Sequence, residues 1–530
     1  MLFHVACFLR PARRSRMPLG VPEYDRSASL ASSAVFSAAR LRGLRPDWLS
    51  DPKVWRTEIL AGLVVALALI PEAISFSIIA GVDPAIGLFA SFTMAVTIAI
   101  VGGRPAMISA ATGAVALVIA PLNREHGLGY LIAAVILAGV FQIALGALGA
   151  AKLMRFVPRS VMVGFVNALA ILIFMAQVPE MSNVPWAVYP LIAAGLALMV
   201  LFPKVTKVVP APLVSIVILT VVTVAAGIAV PTVGDKGALP SSLPMPGLPD
   251  VPFTLDTLTT IAPYAFAMAL VGLMESLMTA KLVDDITDTR SNKTRESIGQ
   301  GIANIVTGFF GGMGGCAMIG QTMINVKVSG ARTRLSTFLA GAFLMVLCIA
   351  LGPVVSDIPM AALVAVMIMV SFATFDWHSI APRTLKRMPT GEITVMAITV
   401  GCVVATHNLA IGVVVGSLTA VVIFARRVAH LAEVTAVADP DGTSVVYRVT
   451  GELFFASSNE LVGQFDYAGD PAKVVIDLSA AHIWDASSVA ALDAIETKYA
   501  QRGKTVEIIG LNEPSARIHG KLSGELTPSH

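Results

Sequence analysis

Runs of roughly 20 apolar residues recur along this chain from Ile59 to Ala425, and they limit its fold more than any other feature. A helix of that length crosses the hydrocarbon core of a bilayer. Of the 530 residues, 56% are hydrophobic and 13% are charged, against about 25% charged in an average soluble domain. We therefore predict a polytopic α-helical membrane protein that is located in the cell membrane and has the lipid bilayer as a partner.

The apolar segments form two groups of seven, separated by a stretch rich in proline, glycine and aspartate. Because each group has an odd number of spans, the second group has the opposite orientation in the membrane. This arrangement is the inverted repeat that supports alternating access. The segments lie near 57–80, 84–102, 105–121, 128–150, 156–178, 187–203, 208–230, 258–282, 296–312, 316–330, 333–355, 358–376, 391–406 and 408–429. The predicted divisions are a basic, disordered tail (1–54), a first membrane repeat (55–230), an extracytoplasmic loop (231–257), a second membrane repeat (258–429) and a cytoplasmic domain (431–530).

Basic residues are distributed unevenly between the predicted loops. With the arginine-rich N-terminus inside, the extracytoplasmic loops hold only Arg124 and Lys236. This bias follows the positive-inside rule, and an even number of spans brings both termini to the cytoplasmic side. The residues on the cytoplasmic side are Arg104, Lys152, Arg155, Arg159, Lys204, Lys207, Lys281, Arg290, Lys293, Arg295, Lys327, Arg332, Arg334, Arg383, Lys386 and Arg387.

Two glycine-rich passages interrupt the third segment of each group, at 102–113 and 308–321. Backbone that leaves the helix is costly in hydrocarbon unless it lines a cavity inside the protein. Broken segments of this kind indicate a transporter's binding site. If helices begin near Ala111 and Ile319, their N-termini meet and offer backbone N–H groups and partial positive charge to an anion. The competing interpretation is that the glycines only allow close helix packing.

Two carboxylates lie within predicted spans. Glu275 has no cation within one helical turn, and a carboxylate at mid-membrane costs roughly 3 kcal/mol or more, so it should face the protein interior. It could carry a proton or bind Na⁺; the alternative is a residue that reaches water or pairs with Lys281. Glu72 follows Pro71, which should kink the first span, and Phe76 lies one turn further on. Glu72 could also be paired with a cationic neighbour.

Other polar residues give weaker signals. The four cysteines, Cys7, Cys316, Cys348 and Cys402, have no metal-ligand spacing and suggest small packing residues. Asn167 and Gln177 suggest hydrogen bonds between helices, and the run from Lys281 to Arg295 suggests a solvated loop. No Walker, GxSxG or HExxH motif is present. We expect no enzymatic activity, no resident cofactor or metal beyond a co-transported Na⁺ or H⁺, and no nucleic-acid partner.

Charged residues return after Arg427, and short β-rich runs alternate with helical stretches. This pattern predicts a small soluble α/β domain. The predicted elements are strands at 444–449, 474–478 and 506–509 and helices at 487–499 and 513–522.

Over residues 55–525 the chain resembles the SulP family of anion permeases. The resemblance rests on the motifs at 62–73, 108–113, 299–304 and 325–327, and the C-terminal part resembles a STAS domain at 475–479 and 485–488. It implies two inverted seven-span repeats and a core domain that moves against a gate domain by elevator-like alternating access, in a homodimer. Relatives carry sulfate, bicarbonate, chloride or dicarboxylates, some of them with Na⁺ or H⁺.

The resemblance also implies residue roles. Glu275 matches a coupling carboxylate, and Ser487 lies where some STAS domains are phosphorylated, although Asp485 to Ser488 can equally cap the helix that follows. We favour the cap. The implied substrate pocket consists of Glu72, Phe76, Ala111, Thr112, Gly113, Ile319, Gly320 and Gln321.

Two departures from the family pattern bear on coupling. Many relatives carry glutamine where this chain has Glu72, and some carry arginine where Gln321 stands. A site that gains a carboxylate and lacks a cation makes simple chloride exchange a poor fit. We therefore expect a secondary active symporter of sulfate or bicarbonate. The alternatives are a nucleobase–cation symporter of the same architecture, an anion channel, or a membrane sensor whose output is the STAS domain.

Overall fold

The computed structural model describes residues 52–149, 157–204, 210–429, 432–438, 441 and 443–524. Residues from Arg56 onwards form one compact unit, and the packing described below is that of this unit. Most of the predicted basic tail, together with Cys7, Lys152, Arg155 and Lys207, lies outside the described residues.

Helices account for most of the membrane part, and their bounds follow the predicted segments closely. The first half contains α1 (Pro52–Ala80), α2 (Pro84–Val101), α3 (Gly113–His126), α4 (Leu128–Ala147), α5 (Arg159–Met175), α6 (Val188–Leu201) and α7 (Ala211–Ala225). The second half contains α8 (Leu255–Thr287), α9 (Lys293–Phe309), α10 (Ile319–Met323, continued by a π-helical turn Ile324–Val328), α11 (Arg334–Ala350), α12 (Gly352–Ser356), α13 (Met360–Thr374), α14 (Pro382–Leu385), α15 (Thr390–Thr406) and α16 (Leu409–Ala429). Short 3₁₀ turns occupy Pro179–Met181, Phe202–Lys204 and Gly234–Lys236.

The helices of the membrane part differ in length. Six helical stretches within the described part of the chain are long and apolar enough to cross a membrane, and five further apolar helices are shorter. The count of fourteen spans and the inverted repeat therefore stay predictions. The six longer stretches are Pro52–Ala80, Pro84–Val101, Leu128–Ala147, Arg159–Met181, Leu255–Thr287 and Leu409–Arg427.

The third predicted segment of each half is a strand followed by a helix. Strand β1 (Ser109–Ala110) precedes α3, and strand β2 (Cys316–Ala317) precedes α10. The two strands pair antiparallel, with Ala110 opposite Cys316. A Cβ atom at Gly315 would collide with the carbonyl oxygen of Ala110, so the strands approach this closely only with glycine there. Of the two predicted helix starts, Ile319 is correct and Ala111 is two residues too early.

Other glycines on α9 and in the passage that follows it have two different roles. Gly301 on α9 faces Gly139 on α4, and a Cβ on either would lie 2.5 Å from the other's carbonyl oxygen. Here glycine allows close helix packing, as the competing interpretation proposed. Gly311 and Gly314 have φ of 72° and 73°, which favours glycine, and they turn the chain from α9 into β2. Close packing therefore explains Gly301, whereas Gly311 and Gly314 are explained by the turn before β2.

The C-terminal domain has a four-stranded sheet in the order β3 (Glu433–Ala438), β4 (Ser444–Leu453), β5 (Lys473–Ile483), β6 (Thr505–Ile509). Strands β3 and β4 are antiparallel, and β4, β5 and β6 are parallel. The helices are α17 (Phe455–Val462), α18 (Ala486–Ala500) and α19 (Glu513–Leu522). The predicted strands and helices are all present, but β3 and α17 were missed.

Candidate functional site

The first turns of α3 and α10 border one small cavity, which we call the central cavity. It encloses about 240 Å³, less than the roughly 300–1,000 Å³ of pockets that hold drug-sized ligands. Seven of the predicted site residues line it: Glu72, Phe76, Thr112, Gly113, Glu275, Ile319 and Gly320. The sequence-predicted residues from four separate helices therefore meet around a space suited to a small solute.

Sequence reasoning missed the opposite wall of the central cavity. Helix α5 contributes Phe165, Val166, Leu169 and Ile173, and α13 contributes Val370, Ala373 and Thr374. These side chains are mostly apolar and do not differ in type from ordinary membrane-helix residues. No motif or charge could have singled them out.

Ala111 and Gln321 were predicted to contact substrate, and the structure places neither among the lining residues. The backbone N–H of Ala111 donates to Ser91 Oγ at 3.3 Å. Gln321 is buried, and its Nε2 donates to Glu72 Oε1 at 2.7 Å. Gln321 therefore holds the carboxylate that faces the cavity, and the cationic partner considered for Glu72 is replaced by a neutral amide.

Glu275 on α8 is buried and has a partner that the sequence did not suggest. Cys316 Sγ donates a hydrogen bond to Glu275 Oε2 at 3.0 Å and lies 3.2 Å from Thr112 Oγ1. Pairing with Lys281 is not seen; the described contact of the carboxylate is the thiol. The interpretation of Cys316 as a mere packing residue is wrong, because it joins the carboxylate to the residue that precedes α3.

A buried amide network holds the two strands in place. Asn304 on α9 donates to Gln142 Oε1 at 2.9 Å and to the carbonyl of Gly315 at 3.1 Å, while Gly315 N–H donates to Asn304 Oδ1 at 2.9 Å. Gln300 Nε2 donates to Ser109 Oγ at 2.7 Å. Buried backbone polar groups in a membrane protein need hydrogen-bond partners. At the break, where the chain is not helical, these side-chain amides supply such partners.

The run from Lys281 to Arg295 was predicted as a solvated loop, and this prediction is wrong. Helix α8 continues to Thr287, and Asp284 accepts from Arg104 at 3.0 Å and from Lys293 at 2.7 Å. Arg104 is itself buried. The charges therefore form a network that ties the chain before β1 to the end of α8.

Two buried glutamates serve as acceptors for backbone N–H groups. Glu296 Oε2 accepts from Gly103 at 2.7 Å and Arg104 at 2.9 Å. Glu58 Oε1 accepts from Arg332 at 2.7 Å and Thr333 at 3.0 Å, just before α11 begins. A carboxylate at a helix N-terminus or a turn stabilises N–H groups that have no helical partner.

The two amides predicted to join helices behave differently. Asn167 donates to Ser379 Oγ at 2.9 Å and accepts from the N–H of Asp376 at 2.8 Å, so it links α5 to the segment after α13 as predicted. Gln177 donates to the carbonyl of Ile173 in its own stretch of chain, at 3.4 Å. The prediction for Gln177 is therefore wrong.

Ser487 lies exposed in the first turn of α18. Asp485 caps this helix, because its Oδ1 accepts from the N–H of Ser488 at 3.1 Å. The favoured cap is therefore confirmed, and phosphorylation of Ser487 stays a prediction. Across the described residues, no group of three or more His, Cys, Asp or Glu side chains could hold a metal ion.

The fold matches that of a known membrane transporter. Murine Solute Carrier 26 family member A9, an anion transporter in the inward-facing state, superposes with a TM-score of 0.77 over 96% of each chain, at 16% sequence identity. The architecture is thus that of a helical membrane transporter with a C-terminal α/β domain.

The sequence comparisons identify the family. The Sulfate permease family matches residues 55–194 and 184–399, and the STAS domain matches residues 435–523. This chain belongs to the sulfate permease family. It is 54% identical to "Putative sulfate transporter YbaR" of Bacillus subtilis over 91% of this chain and 99% of that one. It is 26% identical to the bicarbonate transporter BicA of Picosynechococcus over 88% of this chain and 90% of that one.

Proposed function

We propose that this protein is a secondary active transporter that carries sulfate or bicarbonate across the cell membrane together with Na⁺ or H⁺. The observation that carries the proposal is the meeting of the α3 and α10 first turns with two carboxylates around one 240 Å³ cavity. The relatives support the choice of anion, since one is described as a sulfate transporter and another is named a bicarbonate transporter.

The anion is held by backbone groups. No lysine, arginine or histidine is among the described residues that line the central cavity. The first turns of α3 and α10 leave N–H groups without helical acceptors, and each helix start carries partial positive charge. Thr112 adds a hydroxyl at the same point. A small anion fits such a site better than a nucleobase, which needs side chains that read its ring edges.

Coupling follows from the two carboxylates. Glu72 and Glu275 both line the cavity that would hold the anion, and two negative charges there would repel it. A proton or a Na⁺ on at least one of them removes this repulsion. Glu275 is the better candidate because its partner is a single thiol, whereas Glu72 is already held by an amide.

The position of the cavity suggests how the solute crosses. One wall consists of α1, α3, α8 and α10, and the other of α5 and α13. Movement of the first set as a core domain against the second, elevator-like and in a homodimer, would carry the site across the membrane. The polypeptide itself would catalyse no reaction, both termini would face the cytoplasm, and the STAS domain would regulate transport or contribute dimer contacts.

Transport by purified protein tests the proposal. Uptake of radiolabelled sulfate and bicarbonate into proteoliposomes should rise with an inward Na⁺ or proton gradient. Glu275→Gln should abolish the gradient-driven part, while Glu392→Gln, which removes an exposed carboxylate on α15, should leave it intact. Uptake indifferent to both gradients would refute coupling. Competition by uracil would favour a nucleobase transporter, and currents exceeding carrier turnover would favour a channel.

A further inference from the structure

A second cavity lies towards the C-terminal end of α3, and we call it the distal cavity. It encloses about 610 Å³ and is lined by α1, α3, α5 and α13, the same helices that surround much of the central cavity. The described lining of the central cavity has two carboxylates and no basic residue, whereas that of the distal cavity includes Arg124 and His407 as well as Glu180. The distal cavity is large enough for a hydrated anion.

One face of α3 runs from the central cavity to the distal cavity. Gly113 lines the first, and Leu117, Pro121 and Arg124 line the second. Their spacings of four, eight and eleven residues from Gly113 place all four on one side of a helix. The same stripe therefore borders both spaces and ends in a cation.

Two apolar side chains lie close to Gly113, where the α3 stripe begins. A Cβ atom at Gly113 would lie 2.9 Å from a ring carbon of Phe76 and 3.2 Å from Ile173 Cδ1, so both side chains pack on the start of α3. Both are buried and both line the central cavity. Phe76 and Ile173 therefore border the central cavity at the end of the α3 stripe that lies opposite Arg124.

The charges of the distal cavity do not cancel. Glu180 forms an ion pair with Lys236 at 2.7 Å, so its negative charge is balanced. Arg124 is exposed, its described hydrogen bond runs from Nε to the carbonyl of Ala120 at 3.4 Å, and it has no ion-pair partner within the described part of the chain. Among the described residues that line this cavity, Arg124 therefore supplies a positive charge that no ion pair balances.

We infer that the distal cavity is the vestibule through which the anion reaches the central cavity, and that Arg124 is the residue that attracts it. The inference rests on the proposed function and names its entry path. A cleft with one sign of charge raises the local concentration of the oppositely charged solute. The predicted topology places Arg124 and Lys236 on the extracytoplasmic side, from which an anion enters during uptake.

Two substitutions, one that removes a positive charge and one that removes a negative charge, test this vestibule in right-side-out membrane vesicles. Arg124→Gln should raise KM for the anion by about three- to tenfold at low ionic strength, with Vmax unchanged. Glu180→Gln frees Lys236 and should lower KM by about two- to threefold. Both differences should shrink at about 1 M salt, where the screening length is about 3 Å. Arg124→Lys should behave as the wild type.

Arg387→Gln is the matched control, because it removes an exposed arginine that lines neither cavity. An Arg124→Gln protein whose KM and salt dependence equal those of Arg387→Gln would overturn the assignment of Arg124. An unchanged Vmax shows that the variant is folded. Absence of uptake by the wild type would instead count against the proposed transport itself.

Access to the vestibule can be measured independently of charge. Leu117→Cys should react with a membrane-impermeant cationic thiol reagent, and the reaction should block uptake and be slowed by saturating anion. The wild type supplies the background from native cysteines, of which Cys316 and Cys348 are buried. A Leu117→Cys protein that does not react, or that reacts without loss of uptake, would show that the anion takes another path.

Discussion

The thiol of Cys316 donates a hydrogen bond to the carboxylate of Glu275, with 3.0 Å between Sγ and Oε2. Cys316 belongs to β2 and Glu275 to α8, so this contact links the broken segment of the second half to the carboxylate proposed for coupling. Through Thr112, 3.2 Å from the same sulfur, the link continues to the start of α3. The thiol therefore contacts residues from both halves of the candidate site.

Replacement of Cys316 should change coupling more than folding. Cys316→Ala leaves a buried carboxylate without its donor, a loss worth about 1–3 kcal/mol, so the cation concentration for half-maximal uptake should shift by about tenfold. Cys316→Ser keeps a donor of similar size and should stay within about twofold of the wild type. The measurement is uptake against Na⁺ or proton concentration. Equal curves for Cys316→Ala, Cys316→Ser and the wild type would exclude a positioning role.

Gly315→Ala should destroy the paired strands. The added methyl group would collide with the carbonyl oxygen and carbon of Ala110, which are backbone atoms that cannot move without breaking the strand pairing. Overpacking typically costs about 1–3 kcal/mol, and a backbone collision costs at least that much. Thermal unfolding in detergent should show a lower Tm and uptake should be lost. Gly401→Ala on α15, where a Cβ meets nothing within 4 Å, is the control and should be neutral.

Sequence patterns predicted helix positions well. In a membrane the backbone hydrogen bonds must be made within the helix, so each spanning segment is one continuous apolar run that can be recognised in the sequence. They also predicted that helices starting near Ala111 and Ile319 would meet, since the glycine breaks recur at matching positions, although the first of these helices starts at Gly113. Three features could not be found this way. The thiol partner of Glu275, the Asp284 ion pairs and the α5 wall of the cavity depend on contacts between residues far apart in the chain, which periodicity does not encode.

The α/β domain offers a prediction that does not depend on transport. Asp485→Ala removes the N-cap of α18 and also the acceptor for the N–H of Phe455, which lies 2.7 Å from Oδ2. Loss of a cap typically costs about 1 kcal/mol, so the Tm of Asp485→Ala should fall. Asp485→Asn keeps a side-chain oxygen that can cap, so its Tm should fall less. Ser487→Ala should leave Tm unchanged because Ser487 is exposed. A drop in Tm for Ser487→Ala as large as that for Asp485→Ala would contradict this account of the cap.

Gln321→Arg tests the proposal that this site needs a coupling ion. Gln321 donates to Glu72 at 2.7 Å, and an arginine at the same place would pair with that carboxylate and bring one positive charge beside the central cavity. The anion would then no longer require a co-transported cation to offset the second carboxylate. We expect uptake by Gln321→Arg to depend at least threefold less on the gradient than uptake by the wild type. The measurement is the ratio of uptake with and without the gradient, with Gln321→Leu as the control that removes the amide and adds no charge. Gradient dependence that is the same in Gln321→Arg and the wild type would show that the charge beside Glu72 does not decide coupling.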